Sequence, residues 1–238
     1  MQTKLLYLEH SYVQTMTAKV VSVTAETPGR WKIVLDQTVF YPLGGGQPTD
    51  QGTLVGEGWS GSVNQVLLKE GEICHFVDSA TEPPVGITVV GTLDWPRRFL
   101  NMRRHSAAHV IDFAMYQLGY APKPLYPTKG DHSKKCFIIY EGTMENDIKA
   151  ELEAKSNELV KADLVFSTRF VTFDQIKEIA LYLQPGLPQN KPLRVLALEG
   201  VGAVADGGTQ VERSSEVGVI KIPKIEVKDG FTTIHYTI

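Results

Sequence analysis

The pattern of apolar and polar positions changes character once along the chain. Up to about residue 93 it is short-range. TAKVVSVT (17–24) and RWKIVL (30–35) alternate or are rich in β-branched side chains, and GSVNQVLL (61–68), EICHFV (72–77) and ITVVGTLD (87–94) continue the theme. Gly and Pro separate these runs, as turns between strands require. The pattern predicts about six short strands and almost no helix over residues 1–93. Many short strands must curl or pack to hide their edges, so this part is expected to be a small β-barrel.

From Asp94 the period lengthens. Asp94 is placed to cap a helix, with Pro96 inside its first turn. Phe99, Met102, Ala107, Val110, Phe113 and Ala114 recur at helical spacing, which predicts a helix over 96–118 that stops at Gly119. The Pro-rich APKPLYPTKG (121–130) reads as a loop and KKCFIIY (134–140) as a strand. Residues 144–162 read as a second long helix with Ile148, Leu152 and Leu159 on its apolar side. FSTRFVTF has strand character, and Thr172 with Gln175 forms a candidate capping box for a short helix through Leu181. LRVLAL, GVIKIP and FTTIHY read as closing strands. Residues 94–238 are therefore expected to form an α+β domain, a sheet with packed helices.

Composition narrows the class. Of 238 residues, 42% are hydrophobic and 21% charged, which supports a sizeable core and excludes global disorder. The net charge of -3 excludes a histone-like wrapping protein. It hides an asymmetry, because residues 97–135 hold eight Lys/Arg against Asp112 and Asp131. Two cysteines are too few for a secreted disulfide scaffold. With no secretory leader and no long apolar run, the expectation is a soluble cytoplasmic protein without a membrane span; no obligate protein partner is evident.

Three segments carry candidate chemistry. In RRHSAAHVID, His105 and His109 are four apart on one helical face, where two imidazoles can reach one metal ion; two ordinary histidines would look the same. Ser106 replaces the glutamate of a zincin, which disfavours a peptidase. In VADGGTQVERSSEVG, Asp206 and Gln210 flank Gly207 and Gly208; this is either a loop that turns both side chains to one point or a plain turn capped by Asp206. In TVFYPLGGGQPTDQG, three glycines precede Gln47 without the ending of a phosphate loop, and a simple turn between strands fits as well.

Together these blocks resemble the freestanding alanyl-tRNA editing proteins of medium size, relatives of the editing domain of alanyl-tRNA synthetase. The matching blocks are Thr38-Val39-Phe40-Tyr41-Pro42 with Gly44-Gly45-Gly46-Gln47-Pro48 and Asp50, then LDWPRRFLNMRRHSAAH, then Asp206-Gly207-Gly208-Thr209 with Glu216-Val217-Gly218. The resemblance covers nearly the whole chain. It implies a metal-dependent aminoacyl-tRNA hydrolase acting on alanine tRNA mischarged with serine or glycine. It implies zinc at His105 and His109, with the family's late Cys and His falling on Asp206 and Gln210. Two oxygen donors in their place keep zinc as the expected metal and admit other divalent ions. Thr38 falls in the segment of the family's serine-sensing threonine, and Gln47 is expected to shape the same pocket. Gly207 and Gly208 are candidate oxyanion donors through their backbone N–H groups. Arg97, Arg98, Arg103 and Arg104 are candidate contacts to tRNA phosphates. The alternative is a catalytically weak tRNA-binding relative with a degenerate metal site.

Overall fold

The computed structural model describes residues 3–144 and 146–238. The chain divides into two compact units, residues 1–101 and 102–238. This division falls inside the helix Trp95–Gln117, whereas the sequence pattern breaks just ahead of it.

The first unit is a closed six-stranded barrel of Thr15–Thr27, Arg30–Leu35, Glu72–Asp78, Trp59–Lys69, Gly52–Gly56 and Thr88–Leu93, in that order around the barrel. Closure leaves no edge in the barrel itself. All six pairings are antiparallel. Met16, Val20, Ile33, Leu35, Phe40, Leu54, Val63, Val66, Val77 and Val89 fill the interior. The alternation visible in the sequence thus becomes the inside and outside of the barrel. The three-glycine segment is a tight local turn: Gly44 and Gln47 exchange backbone hydrogen bonds, and Gly45 and Gly46 between them have φ of 54° and 78°. Two consecutive positive φ values favour glycine, so local geometry accounts for that pair.

The second unit contains two antiparallel sheets among its described residues. One has the order Lys221–Lys228, Phe231–Thr237, Cys136–Glu141, Tyr126–Asp131; the other has Phe166–Val171, Leu193–Leu198, Gly202–Ala205. The helices Lys149–Lys161 and Phe173–Ile179 complete an α+β arrangement. Thr172 and Gln175 form the expected capping box. Asp94 accepts a hydrogen bond from Arg97 N at 3.2 Å, as a cap should, and Gly119 ends the long helix at φ 78°.

Two expectations change here. The Pro-rich stretch was expected to be loop throughout, but Tyr126–Asp131 is a strand. It lies at a sheet edge, where Pro127 need not donate to a further neighbour. The expectation of a helix over 144–162 includes Glu145, which lies outside the described residues; the helix itself spans Lys149–Lys161. Gly202–Ala205, too short for a periodicity to show, was also not foreseen. Both cysteines are free and buried.

Candidate metal centre

Within the second unit the long helix supplies His105, Ser106 and His109. The strand Leu193–Leu198 supplies Arg194. The loop leaving Gly202–Ala205 supplies Asp206 and Gln210. Arg194 and the loop are joined by backbone pairing, with Asp206 N donating to Arg194 O at 3.1 Å.

Both imidazoles point at one carboxylate oxygen. His105 Nε2 lies 3.4 Å and His109 Nε2 3.5 Å from Asp206 Oδ1. One ligand atom from each of the three residues falls within a 4.8 Å span. His105 is 3% exposed and His109 7%. The other carboxylate oxygen is held from behind: Gln210 Nε2 donates to Oδ2 at 3.0 Å and Arg194 Nη1 at 3.3 Å. Gly208 N–H is 3.1 Å from both oxygens, so Asp206 does cap its own turn while also facing the histidines. Arg194 Nη1 further donates to Gly208 O at 2.8 Å, fixing the loop.

The electrostatics follow. Burial lowers the pKa of His105 well below its usual value, and Asp206 only partly offsets this. Burial also lowers His109, but its interaction with Asp206 outweighs that and leaves the value raised. Burial alone would raise Asp206; the two imidazoles and Arg194 outweigh it and hold the carboxyl well below its usual range. A carboxylate opposite two imidazoles is thus the stable form of the site.

The residues fit a divalent ion. Neither ring nitrogen of the buried His109 has a partner of hydrogen-bond geometry, and 3.5 Å to Asp206 is an ion-pair distance rather than a hydrogen bond. A buried imidazole in that state lacks an electrophile. Two imidazoles and a carboxylate are a common catalytic donor set for zinc and its first-row neighbours.

Gln210 is placed differently from a ligand. Its Oε1 accepts from Ser106 Oγ at 2.6 Å while its Nε2 holds Asp206, so both ends of the amide are engaged. Ser106 Oγ also accepts from Val211 N at 3.1 Å and is a strut between helix and loop. Arg194 and His132 were not singled out from the sequence. Arg194 left a signal, a charge inside the apolar run LRVLAL. His132 left none; its ring stacks on His105 at 4.5 Å between centroids, and His105 stacks on His109 at 4.9 Å.

The remaining candidates fall out as follows. In the barrel unit Thr38 is fully buried; its hydroxyl lies 2.8 Å from His75 Nε2 and accepts from Phe40 N at 3.0 Å. Gln47 is fully buried at the end of the glycine turn. Arg98 is a correction. It is fully buried and bonded to Asp50, Val39 O and Ser11 O, so it serves the interior and not an RNA surface. Arg97 Nε donates to Thr49 O at 3.1 Å, and Arg103 grips Val217 O at 3.1 and 2.9 Å. Arg97, Arg103 and Arg104 are all half-buried.

Comparison with known proteins decides the family. The chain is 32% identical over 243 residues to the alanyl-tRNA editing protein AlaX-M of Saccharolobus solfataricus, covering 99% of each. It belongs to the AlaX-type alanyl-tRNA editing family. It is also 31% identical over 220 residues to AlaX-L of Pyrococcus horikoshii, covering 91% of this chain and 53% of that one. Alanine–tRNA ligase of Methanobrevibacter smithii is 32% identical over 243 residues, but the chain spans only 27% of that longer protein. Residues 3–97 match the family model described as tRNA synthetases class II (A). Among the described residues no helix is long and apolar enough to cross a membrane.

Proposed function

We propose that this protein hydrolyses the ester that joins a wrong amino acid to alanine tRNA, serine foremost and glycine as a second substrate. The observation that carries this reading is the convergence of His105, His109 and Asp206 in a member of an editing family. A divalent ion held by these three residues would supply Lewis-acid activation for attack of water on the ester.

The chain's own residues do the positioning. Arg194 and Gln210 occupy Asp206 Oδ2, which leaves Oδ1 to face the imidazoles. Ser106 fixes the amide orientation of Gln210 and is not a nucleophile, since its hydroxyl is engaged on both sides. Gly208 N–H is committed to Asp206, so the oxyanion role narrows to Gly207, where an added Cβ would meet only open space. Thr38 and Gln47 are the candidate contacts to the amino-acid side chain, where a serine hydroxyl would join the bonds that the Thr38 hydroxyl makes to His75 and Phe40 N. Arg97, Arg103 and Arg104 are the candidate phosphate contacts, with Arg98 withdrawn.

Single-turnover deacylation tests the reading. The purified protein should cleave seryl-tRNA for alanine faster than correctly charged alanyl-tRNA, and His105→Ala should lose both bound metal and activity. If the wild type cleaves neither ester with zinc, manganese or cobalt supplied, the hydrolase reading fails and the tRNA-binding alternative takes its place.

A further inference from the structure

Resting on that reading, we propose that Asp112 accepts the protonated α-amine of the aminoacyl group, in a subsite walled by Tyr126, Tyr140 and Tyr182. Asp112 lies three residues beyond His109 on the same helix, so both face the same side about one turn apart. Tyr140 Oη donates to Asp112 Oδ1, and Tyr182 Oη lies 3.4 Å from Oδ2. The ring of Tyr126 meets that of Tyr182 at 5.9 Å and 69°, and Tyr126 Oη pins the neighbouring backbone at Leu183 O.

Asp50 and Asp206, the other carboxylates set among buried polar groups, each have an arginine. Asp112 makes no ion pair among the described residues; two neutral hydroxyls bond it, and the charge of His109, one turn back on the helix, acts on it without pairing. A carboxylate withdrawn from water calls for a cation. Burial pushes its pKa up, the cost that an incoming ammonium would offset. The 3.4 Å approach of Tyr182 is long for an O–H···O bond, so Oδ2 keeps acceptor capacity. Asp112 is half-buried, hence reachable. Residues three apart on a helix stand about 5–6 Å from one another, the scale the substrate requires, because the α-amine is two bonds from the ester carbonyl and must lie within a few ångströms of the reacting centre.

The test uses the metal-loaded full-length protein and two substrates, seryl-tRNA and N-acetylseryl-tRNA for alanine. The wild type should favour the free amine by roughly tenfold to a hundredfold in kcat/KM, the range for a charge-assisted hydrogen bond. Asp112→Asn should abolish that preference by slowing only the free-amine substrate, with metal content unchanged. Tyr182→Phe, which removes the weaker hydroxyl contact and leaves the carboxylate, should keep the preference even if Asp112→Asn misfolds. A wild type that cleaves both esters equally overturns the proposal. So does an Asp112→Asn protein that still prefers the free amine, because the preference then reflects acetyl bulk. A wild type that cleaves neither ester overturns the hydrolase reading itself and the subsite with it.

Discussion

The two units bury polar groups in opposite ways. In the barrel, Asp50 Oδ2 accepts from Tyr41 N at 2.7 Å and from Arg98 Nε at 2.8 Å, and Arg98 spends its other donors on Val39 O and Ser11 O. Thr38, His75, Phe40 N and Ile33 O likewise satisfy one another. Little capacity is left over; Asp50 Oδ1 and, on the helix, Asn101 Nδ2 are the exceptions among the described residues. In the second unit Asp206 is as well supported, by Arg194, Gln210 and Gly208, yet neither ring nitrogen of the His109 it faces has a hydrogen-bonding partner. The first arrangement is closed largely by its own residues. The second is rigid on one side and open on the other, which is what a binding centre needs.

The largest effect should come from breaking the complete network. Arg98→Met leaves Asp50 buried without its cation, and removing one partner of a buried pair costs about 3–5 kcal/mol. All three tryptophans, Trp31, Trp59 and Trp95, lie in the first unit, so their fluorescence follows its unfolding. Urea titration should show the loss there, with metal content retained. His109→Ala should do the reverse, losing metal while the tryptophan transition stays put. Equal effects of both variants on both readouts would dissolve the contrast between the units.

A smaller effect distinguishes the two roles open to Thr38. Thr38→Val keeps the shape but leaves His75 Nε2 and Phe40 N–H unsatisfied, a cost of about 1–3 kcal/mol in the same fluorescence transition. If Thr38 also reads the substrate, the gap between seryl- and alanyl-tRNA cleavage narrows as well. Loss of stability with an unchanged gap would place Thr38 wholly within the barrel's internal network.

This contrast explains what was legible in the sequence. Strand alternation marked the barrel because one face of each strand is wet, and the 3.6 period marked the long helix because its buried positions recur. The pairing of His105 with His109 was visible as an i, i+4 spacing, and Asp206 through its glycine-bounded loop. Gln210 was readable as a neighbour of the site but not as a strut, since that depends on Ser106 lying 2.6 Å away across 104 residues of chain. Arg98 looked like part of a basic surface because local sequence does not show which arginine of a helix meets a buried aspartate 48 residues earlier. The strand Tyr126–Asp131 was hidden by its prolines, which forbid a central strand but not an edge.

The smallest predicted effect is a pH dependence confined to the barrel. Burial lowers the pKa of His75 from 6.5 to about 4, and its bond to Ile33 O offsets only part of this. The ring therefore stays neutral inside the barrel at neutral pH, with Nδ1–H donating to Ile33 O and Nε2 accepting from the Thr38 hydroxyl. Unfolding exposes a histidine that takes up a proton below 6.5, so the unfolded state binds more protons between these two values. Stability contributed by keeping the ring neutral is fully present above pH 6.5. It falls as pH drops through 6.5 toward 4, then levels off. Between pH 7 and pH 5 the loss is about 2 kcal/mol. Tryptophan-monitored urea unfolding at both pH values should show it, and His75→Gln, less stable at pH 7, should lose this part of the slope. An identical slope in the variant would assign the acid sensitivity to other groups and leave the barrel's polar network without a titrating member.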